Sequence, residues 1–188
     1  MSDWENHLAS LAPASSFWKP RLILVKDTPR GIGIRRVVAW FAKRFGAFNL
    51  FNFIVVGRDF YSTCPAKYKR AVIAHEMGHY RGCHTLVLVI FTSLFISRDA
   101  IAQGIFHRVL SKGTIDGVLF VLIAVAVFIQ IKRVQEHRAD DYCMSVVGSE
   151  NAIEALEWCK KTTNPRGKAP WVRQRINRLI GKSKNTGG

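Results

Sequence analysis

The chain has 188 residues, a length that suits one compact domain or a small domain with an appended element. It carries 28 Lys and Arg against 13 Asp and Glu, a formal net charge of +15, and 48% of its residues are hydrophobic. That apolar fraction excludes a disordered basic tail. The four cysteines form no C-x-x-C pair and are too sparse for a disulfide framework, so we expect reduced thiols in a protein that faces the cytosol.

The first 20 residues lack the charged start and the apolar core of a signal peptide. Their larger apolar side chains are Trp4, Leu8, Leu11, Phe17 and Trp18. Tryptophan at such positions is typical of a segment at a membrane interface, but it fits an arm that packs on the domain equally well. The sequence leaves both alternatives open.

Short elements of mixed type follow this segment. Residues 21–26 (RLILVK) and 53–56 (FIVV) predict two strands, and residues 37–45 predict a helix with a basic face between them. Gly31 and Gly33 lack the third glycine and the strand-to-helix context of a phosphate-binding loop. We therefore expect a turn at these two glycines.

A longer helix is predicted from about residue 65 through His79 and on into the apolar residues that follow. It contains an H-E-x-x-H pattern. Because residues i and i+4 share one helix face, His75 and His79 can bind one metal ion. Glu76 is rotated by about 100° from His75, so it lies beside that ion and can take a proton from water. The small apolar residues 71–74 favour such a buried site over three polar residues on an exposed face.

A catalytic metal of this kind needs a third protein ligand, and two residues are candidates. If the helix continues, His84 lies about 140° around it from His79 and points away. Glu136 and Asp140 are again i and i+4 on one predicted helix face. One carboxylate can bind the metal while the other accepts a hydrogen bond from a ligand imidazole. Because the chain also contains an H-E-x-x-H pattern, we favour this metal-site interpretation over the alternative that Glu136 and Asp140 form ion pairs on an exposed helix face.

Two apolar runs, residues 86–96 and 118–129, lie between basic blocks in the middle of the chain. The uncharged stretches that contain them, residues 82–97 and 117–131, would extend as helices only about 24 and 22 Å, short of the roughly 30 Å hydrocarbon core of a bilayer. Two buried core helices therefore remain an alternative. We favour a membrane hairpin at residues 85–131, because so short a chain has little interior to enclose two fully apolar helices. The positive flanks predict that both ends face the cytoplasm.

These pieces together resemble the membrane-bound gluzincin metallopeptidases, the family that includes the heat-shock protease HtpX and the CAAX prenyl proteases. The matching parts are residues 74–79 (AHEMGH), the following His84, the pair of apolar runs, and residues 136–140 (EHRAD), which fit the family's E-x-x-A-D motif. Residues 170–179 (PWVRQRINRL) resemble its final segment. The likeness extends over residues 20–180 and is specific only at the two metal-binding motifs.

The resemblance implies a fold and a domain arrangement. The fold class would be α+β and mainly helical, with a zincin-like (minigluzincin) catalytic domain and a small sheet. Residues 1–188 would form a single metallopeptidase domain. The membrane hairpin at residues 85–131 would be inserted between the two zinc-binding helices.

The resemblance also implies a site that holds one Zn²⁺ ion per chain. His75, His79 and Glu136 would bind zinc. Glu76 would act as the catalytic base, and Asp140 would support a ligand histidine. Ala169 stands where the family has a histidine before its final Pro-containing segment. We therefore expect another donor, Tyr80, His137 or Arg175, to contact the substrate or the transition state, or a slower enzyme.

The resulting hypothesis is a membrane-anchored zinc-dependent endopeptidase of membrane-proximal or misfolded proteins, with its site at the cytoplasmic face of the inner membrane. The peptide would lie along an edge strand formed by residues 53–56. The expected partners are a protein substrate and the lipid bilayer; nucleic acid is not expected, and the oligomeric state is not indicated. Two alternatives are a soluble basic zinc protease acting at nucleic acid, similar to SprT-like enzymes, and a catalytically inactive membrane adaptor.

Overall fold

The computed structural model describes residues 3–12, 19–25, 34–97, 114–163 and 170–186. Within them the helices are α1 (Asp3–Leu11), α2 (Ile34–Phe45), α3 (Arg58–Thr63), α4 (Ala66–Arg81), α5 (His84–Ile96), α6 (Thr114–Val147), α7 (Ser149–Thr163) and α8 (Pro170–Thr186). The strands are β1 (Arg21–Val25), β2 (Ala47–Leu50) and β3 (Phe53–Gly57). The predicted fold class, α+β and mainly helical with a small sheet, is confirmed.

Some features of the sequence lie outside the described residues. They are the aromatic pair Phe17 and Trp18, the glycines Gly31 and Gly33, Ala169, and the polar residues 98–113 between the apolar runs. The predictions made for them stay predictions.

The three strands form one sheet in the order β1-β3-β2. β1 runs parallel to β3, and β2 runs antiparallel to it. Ile54, Val55 and Val56 of β3 are all buried, as a strand covered on both faces requires. The prediction that residues 53–56 form an edge strand is wrong, because both of their edges are paired; β2 is an edge strand instead.

The main core lies between this sheet, helix α4 and the N-terminal helix. Its buried side chains are Trp4, Leu8, Ala47, Ile54, Val56, Phe60, Cys64, Val72, Ile73 and Met77. Trp4 is fully buried, and its ring stacks on that of Tyr61 with the ring centres 5.3 Å apart. Of the two alternatives for the N-terminal segment, the position of α1 therefore favours an arm that packs on the domain.

Helices α4, α6 and α7 pack closely through small side chains. The buried residues at this contact are Ala71, Ala74, Cys143, Ala152 and Ala155. The backbones of α4 and α6 lie close together at Gly78, where a Cβ atom would lie 2.6 Å from the Cα of Ala139. Because the two helices cross so closely here, the polar residues of α4 next to Gly78 lie near the polar residues of α6 next to Ala139.

The helix predicted to continue from residue 65 into the first apolar run is interrupted. α4 ends at Arg81 and α5 begins at His84. Between them Cys83 has a φ of 50°, a left-handed conformation that L-residues rarely adopt. The prediction of one continuous helix is therefore wrong.

The predicted hairpin at residues 85–131 corresponds to α5 and the first half of α6, a single helix of 34 residues. The two approach each other at Phe91 and Phe128, whose ring centres are 6.1 Å apart. Across the described ranges, no helix combines the length and the apolar content needed to cross a bilayer. The second half of α6 carries Glu136 and Asp140.

Candidate metal centre

Three side chains converge where α4 crosses α6. The Nε2 atoms of His75 and His79 are 3.2 Å apart, and Glu136 carboxylate oxygens lie 3.5 Å from the first and 3.6 Å from the second. Tetrahedral zinc ligands, each about 2.0–2.1 Å from the ion, lie about 3.3 Å from one another. The group could therefore hold one metal ion through three protein ligands, which leaves a fourth position for water or substrate.

Asp140 and Arg175 surround these three residues. Asp140 lies one turn after Glu136 on α6, and its Oδ1 is 3.1 Å from Nδ1 of His75, the ring nitrogen that faces away from the centre. Arg175 of α8 is buried; its Nη1 is 2.8 Å from Glu136 Oε2, and its Nε donates to Asp140 Oδ2 at 2.8 Å. One guanidinium therefore holds both carboxylates in place.

The charges around the centre favour a cation. Burial disfavours the ionised form of Glu136, but His75 and Arg175 outweigh it and hold the pKa of this carboxyl well below its usual range. Burial likewise disfavours a charged His75, yet the carboxylates of Asp140 and Glu136 raise its pKa to about 10. The carboxylates thus stabilise positive charge at this place; a metal ion bound there would take the position of the proton on Nε2, because a ligand histidine must be neutral.

Glu76 lies next to this group on α4 and is buried. Burial, reinforced by the negative charge of Glu136, raises the pKa of Glu76 to about 7. Among the described residues its Oε2 has no hydrogen-bond partner. A buried carboxylate oxygen without a protein partner is costly unless it meets a water molecule or a ligand, so its placement fits a site where water is handled.

His84 lies behind His79. The Nδ1 atoms of the two rings are 2.6 Å apart, while Nε2 of His79 faces His75 and Glu136. Burial lowers the pKa of His79 to about 3 and that of His84 to about 4, so both rings are neutral at pH 7. The expectation that His84 points away is wrong, because it assumed that α4 continues past residue 81.

A family model described as peptidase family M48 matches residues 35–159, about two thirds of the chain. The matched segment contains α4 and α6 and thus all three residues of the candidate centre. The chain belongs to peptidase family M48. Neither a curated protein nor a solved structure matches it.

In this M48 peptidase the three ligands predicted from the sequence, together with Asp140, lie at one place. The family match ends before α8, which nevertheless supplies Arg175. Arg175 contacts the carboxylates of the centre, its Nη2 lies 3.5 Å from Nε2 of His75, and its guanidinium lies over the ring of Trp171. The ring of Tyr80 packs against the main core. Substrate contact by either residue stays a prediction. The close approach of His84 to His79 was missed, since only the break after α4 produces it.

Proposed function

We propose that this M48 peptidase is a zinc-dependent endopeptidase that hydrolyses peptide bonds of protein substrates. The observation that carries this proposal is the spacing of His75 Nε2, His79 Nε2 and the Glu136 carboxylate, which matches three corners of a zinc tetrahedron. Glu76 stands beside that group with an oxygen unpaired among the described residues. Ligands and base together make up the set that metal-assisted hydrolysis needs.

A zinc ion bound by His75, His79 and Glu136 would polarise the scissile carbonyl and lower the pKa of a coordinated water. Glu76 acts as the base: it takes a proton from the water that attacks the carbonyl carbon. As the carbon–nitrogen bond breaks, Glu76 delivers this proton to the leaving amine. Asp140 keeps His75 oriented by accepting its Nδ1–H.

We further propose that the peptide binds along the outer edge of β2. The N–H of Gly57 donates to the carbonyl of Gly46, and paired residues alternate in an antiparallel ladder. The backbone groups of Ala47 and Asn49 therefore point away from β3, and the carbonyl of Asn49 also accepts a hydrogen bond from Thr85 Oγ1 at 3.4 Å. An extended peptide can pair with such groups by main-chain hydrogen bonds, which explains how one site would accept varied sequences.

We also propose that the enzyme acts at the cytoplasmic face of a membrane. Several large apolar side chains of α5 and of the first half of α6 are exposed: Leu86, Val87, Val89, Ile90, Leu122, Ile123, Val125, Val127, Phe128 and Ile129. An exposed apolar surface of this extent on a monomer is typical of a membrane or protein contact. Lys132 and Arg133 follow it directly, and basic residues at that position favour the cytoplasmic side. Membrane-proximal or misfolded proteins would be the substrates.

The hydrolytic activity is tested with the purified full-length chain in mild detergent and an unfolded protein substrate. We expect new peptide termini that disappear with a chelator and return when one equivalent of zinc is added. Cleavage that persists at full rate after all metal has been removed would contradict a zinc-dependent mechanism. Tight zinc binding without any cleavage would instead favour the inactive membrane adaptor.

A further inference from the structure

The ring of His84 makes a contact that none of the roles above requires. His84 is the first residue of α5 and is only 5% exposed. Its Nδ1 lies 2.6 Å from Nδ1 of His79, and the two rings meet edge to face with their centres 4.8 Å apart. This distance is slightly shorter than the usual range of about 2.7–3.2 Å for an N–H donor, and it places the two ring nitrogens within hydrogen-bonding reach.

The backbone between the two helices is shaped to allow this contact. Cys83 adopts its left-handed conformation between α4 and α5, which turns His84 back toward the end of α4. Gly82 makes room for the ring, since a Cβ atom there would lie 2.2 Å from Nε2 of His84. The side-chain amide of Gln135, one residue before Glu136, donates to the carbonyl of His84 at 3.2 Å. The position of His84 is therefore fixed from both of the helices that carry the ligands.

The chemistry of a ligand histidine explains what such a contact can do. A metal ion takes the lone pair of one ring nitrogen, so the proton of the neutral ring must reside on the other nitrogen. His79 presents Nε2 to His75 and Glu136, which leaves Nδ1 to carry the proton. The group that faces this Nδ1 is Nδ1 of His84, which must then act as the acceptor. The proton of the neutral His84 ring then sits on Nε2, a buried atom without a hydrogen-bond partner among the described residues.

We propose that His84 is a positioning residue for the metal centre: its Nδ1 accepts the Nδ1–H of His79 and thereby fixes the tautomer and the ring orientation in which His79 binds zinc. The inference rests on the proposed zinc site. It gives the two ligand histidines different supports, since His75 is held by the carboxylate of Asp140 and His79 by a neutral imidazole.

The first test measures zinc affinity of the full chain by competition with a chromophoric chelator. Loss of a group that supports a ligand histidine weakens metal affinity about 10- to 100-fold, and we expect this for His84→Leu. His84→Asn places an amide atom near the position of Nδ1 and should recover most of the affinity. His7→Leu, on α1, is the matched control and should bind zinc as the wild type does.

Gly82→Ala provides a second variant that removes no polar group. The φ and ψ of Gly82, −78° and 1°, are open to alanine, so only the clash with the His84 ring is added. We expect Gly82→Ala to weaken zinc binding in the wild-type background. In the His84→Asn background the same substitution should weaken zinc binding less, because the Asn side chain is shorter and the clash is smaller. Gly181→Ala is the control, because a Cβ atom there meets nothing within 4 Å.

The second readout is the imidazole spectrum of ¹⁵N-labelled, zinc-loaded protein. We expect the Nδ1–H of His79 to be protected from solvent exchange in the wild type and exposed in His84→Leu. Unchanged zinc affinity and unchanged protection in folded His84→Leu would overturn the role of His84 while leaving the zinc site intact. A wild type that binds no zinc would overturn the proposed function, and this inference with it.

Discussion

At the scale of single residues, the centre depends on one buried guanidinium that is shared between two carboxylates. Arg175 is 2.8 Å from an oxygen of Glu136 and donates to Asp140. Neither carboxylate could be buried beside the other at low cost without a cation between them, because like charges repel strongly where water is excluded. Arg175 therefore both holds the geometry and balances the charge.

Replacing Arg175 with Gln is expected to lower the free energy of unfolding by about 3 kcal/mol, since it leaves two partly or fully buried carboxylates without their cation. The measurement is urea unfolding in mild detergent with a chelator present, followed by tryptophan fluorescence. Arg173→Gln is the matched control, because Arg173 lies on the exposed side of the same helix. A stability equal to that of the control would show that Arg175 does not compensate these charges.

Residue spacing predicted which side chains share a helix face, and the H-E-x-x-H pattern together with the family resemblance predicted that the two faces meet. His75 and His79 share a helix face, as do Glu136 and Asp140, and the structure brings both pairs together. The function of Arg175 was not predictable in the same way. It comes from α8, and sequence spacing carries no distance between elements that are far apart along the chain.

At the scale of elements, the crossing of α4 and α6 determines whether the ligands can meet. Gly78→Ala would place a Cβ atom 2.6 Å from the Cα and 3.1 Å from the carbonyl oxygen of Ala139, so the helices must separate. We expect the free energy of unfolding to fall by about 2 kcal/mol. Zinc affinity should fall too, because Glu136 moves away from the two histidines.

The control for this substitution is Gly181→Ala, which adds the same methyl group to a helix where nothing lies within 4 Å. We expect no loss of stability there, and a gain of up to about 1 kcal/mol from helix propensity. Equal effects of the two substitutions on stability and on zinc affinity would show that the close crossing is unimportant.

A second contact between elements joins α6 to α8. Asp141 lies 2.7 Å from Arg178 and 2.7 Å from Lys182. Burial opposes ionisation of Asp141, but hydrogen bonds from these two residues outweigh it and hold the pKa of this carboxyl below its ordinary value. The ionised form is thus stabilised in the folded chain.

Because the folded pKa is the lower one, the contribution of Asp141 is complete above its unfolded pKa and is lost as the pH falls through the folded pKa. We expect Asp141→Asn to cost about 0.5–1 kcal/mol at pH 7, a small value for a partly exposed group, and almost nothing in strong acid. Unfolding curves across this pH range, with Glu157→Gln as control, measure the difference. A penalty that does not change with pH would contradict this ion pair.

The local sequence predicted whether most elements are helices or strands, but it did not predict their arrangement in space. The continuous apolar and mostly β-branched residues 53–56 indicated a strand, yet its central position depends on β2, four residues that carry little signal of their own. The break after α4 was also hidden. Gly82 permits it, but the left-handed Cys83 that produces it is not a residue from which one predicts such a conformation.

At the scale of the whole molecule, the distribution of charge and of exposed apolar side chains bears on location. The net charge of +15 is compatible with anionic lipid as well as with nucleic acid. The exposed apolar residues of α5 and α6 favour lipid, because nucleic acid offers no comparable apolar surface.

We expect the expressed chain to pellet with membranes and to resist both high salt and carbonate. Replacing Leu122 and Ile129 together by Lys should release it, because each charge would cost about 2.5–3.5 kcal/mol within the hydrocarbon. Thr162→Lys, at an exposed position of α7, should leave it in the pellet. Complete extraction of the wild type by salt would contradict a membrane anchor and favour the soluble basic protease.

The decisive measurement compares Glu76→Gln with the wild type for both bound zinc and substrate cleavage, with the exposed Glu150→Gln as control. The amide keeps the size of the side chain but cannot take the proton. We expect one zinc per chain in all three proteins and a loss of cleavage of about a thousandfold in Glu76→Gln alone. Cleavage by Glu76→Gln at the rate of the control, with zinc bound, would contradict zinc-dependent hydrolysis with Glu76 as its base.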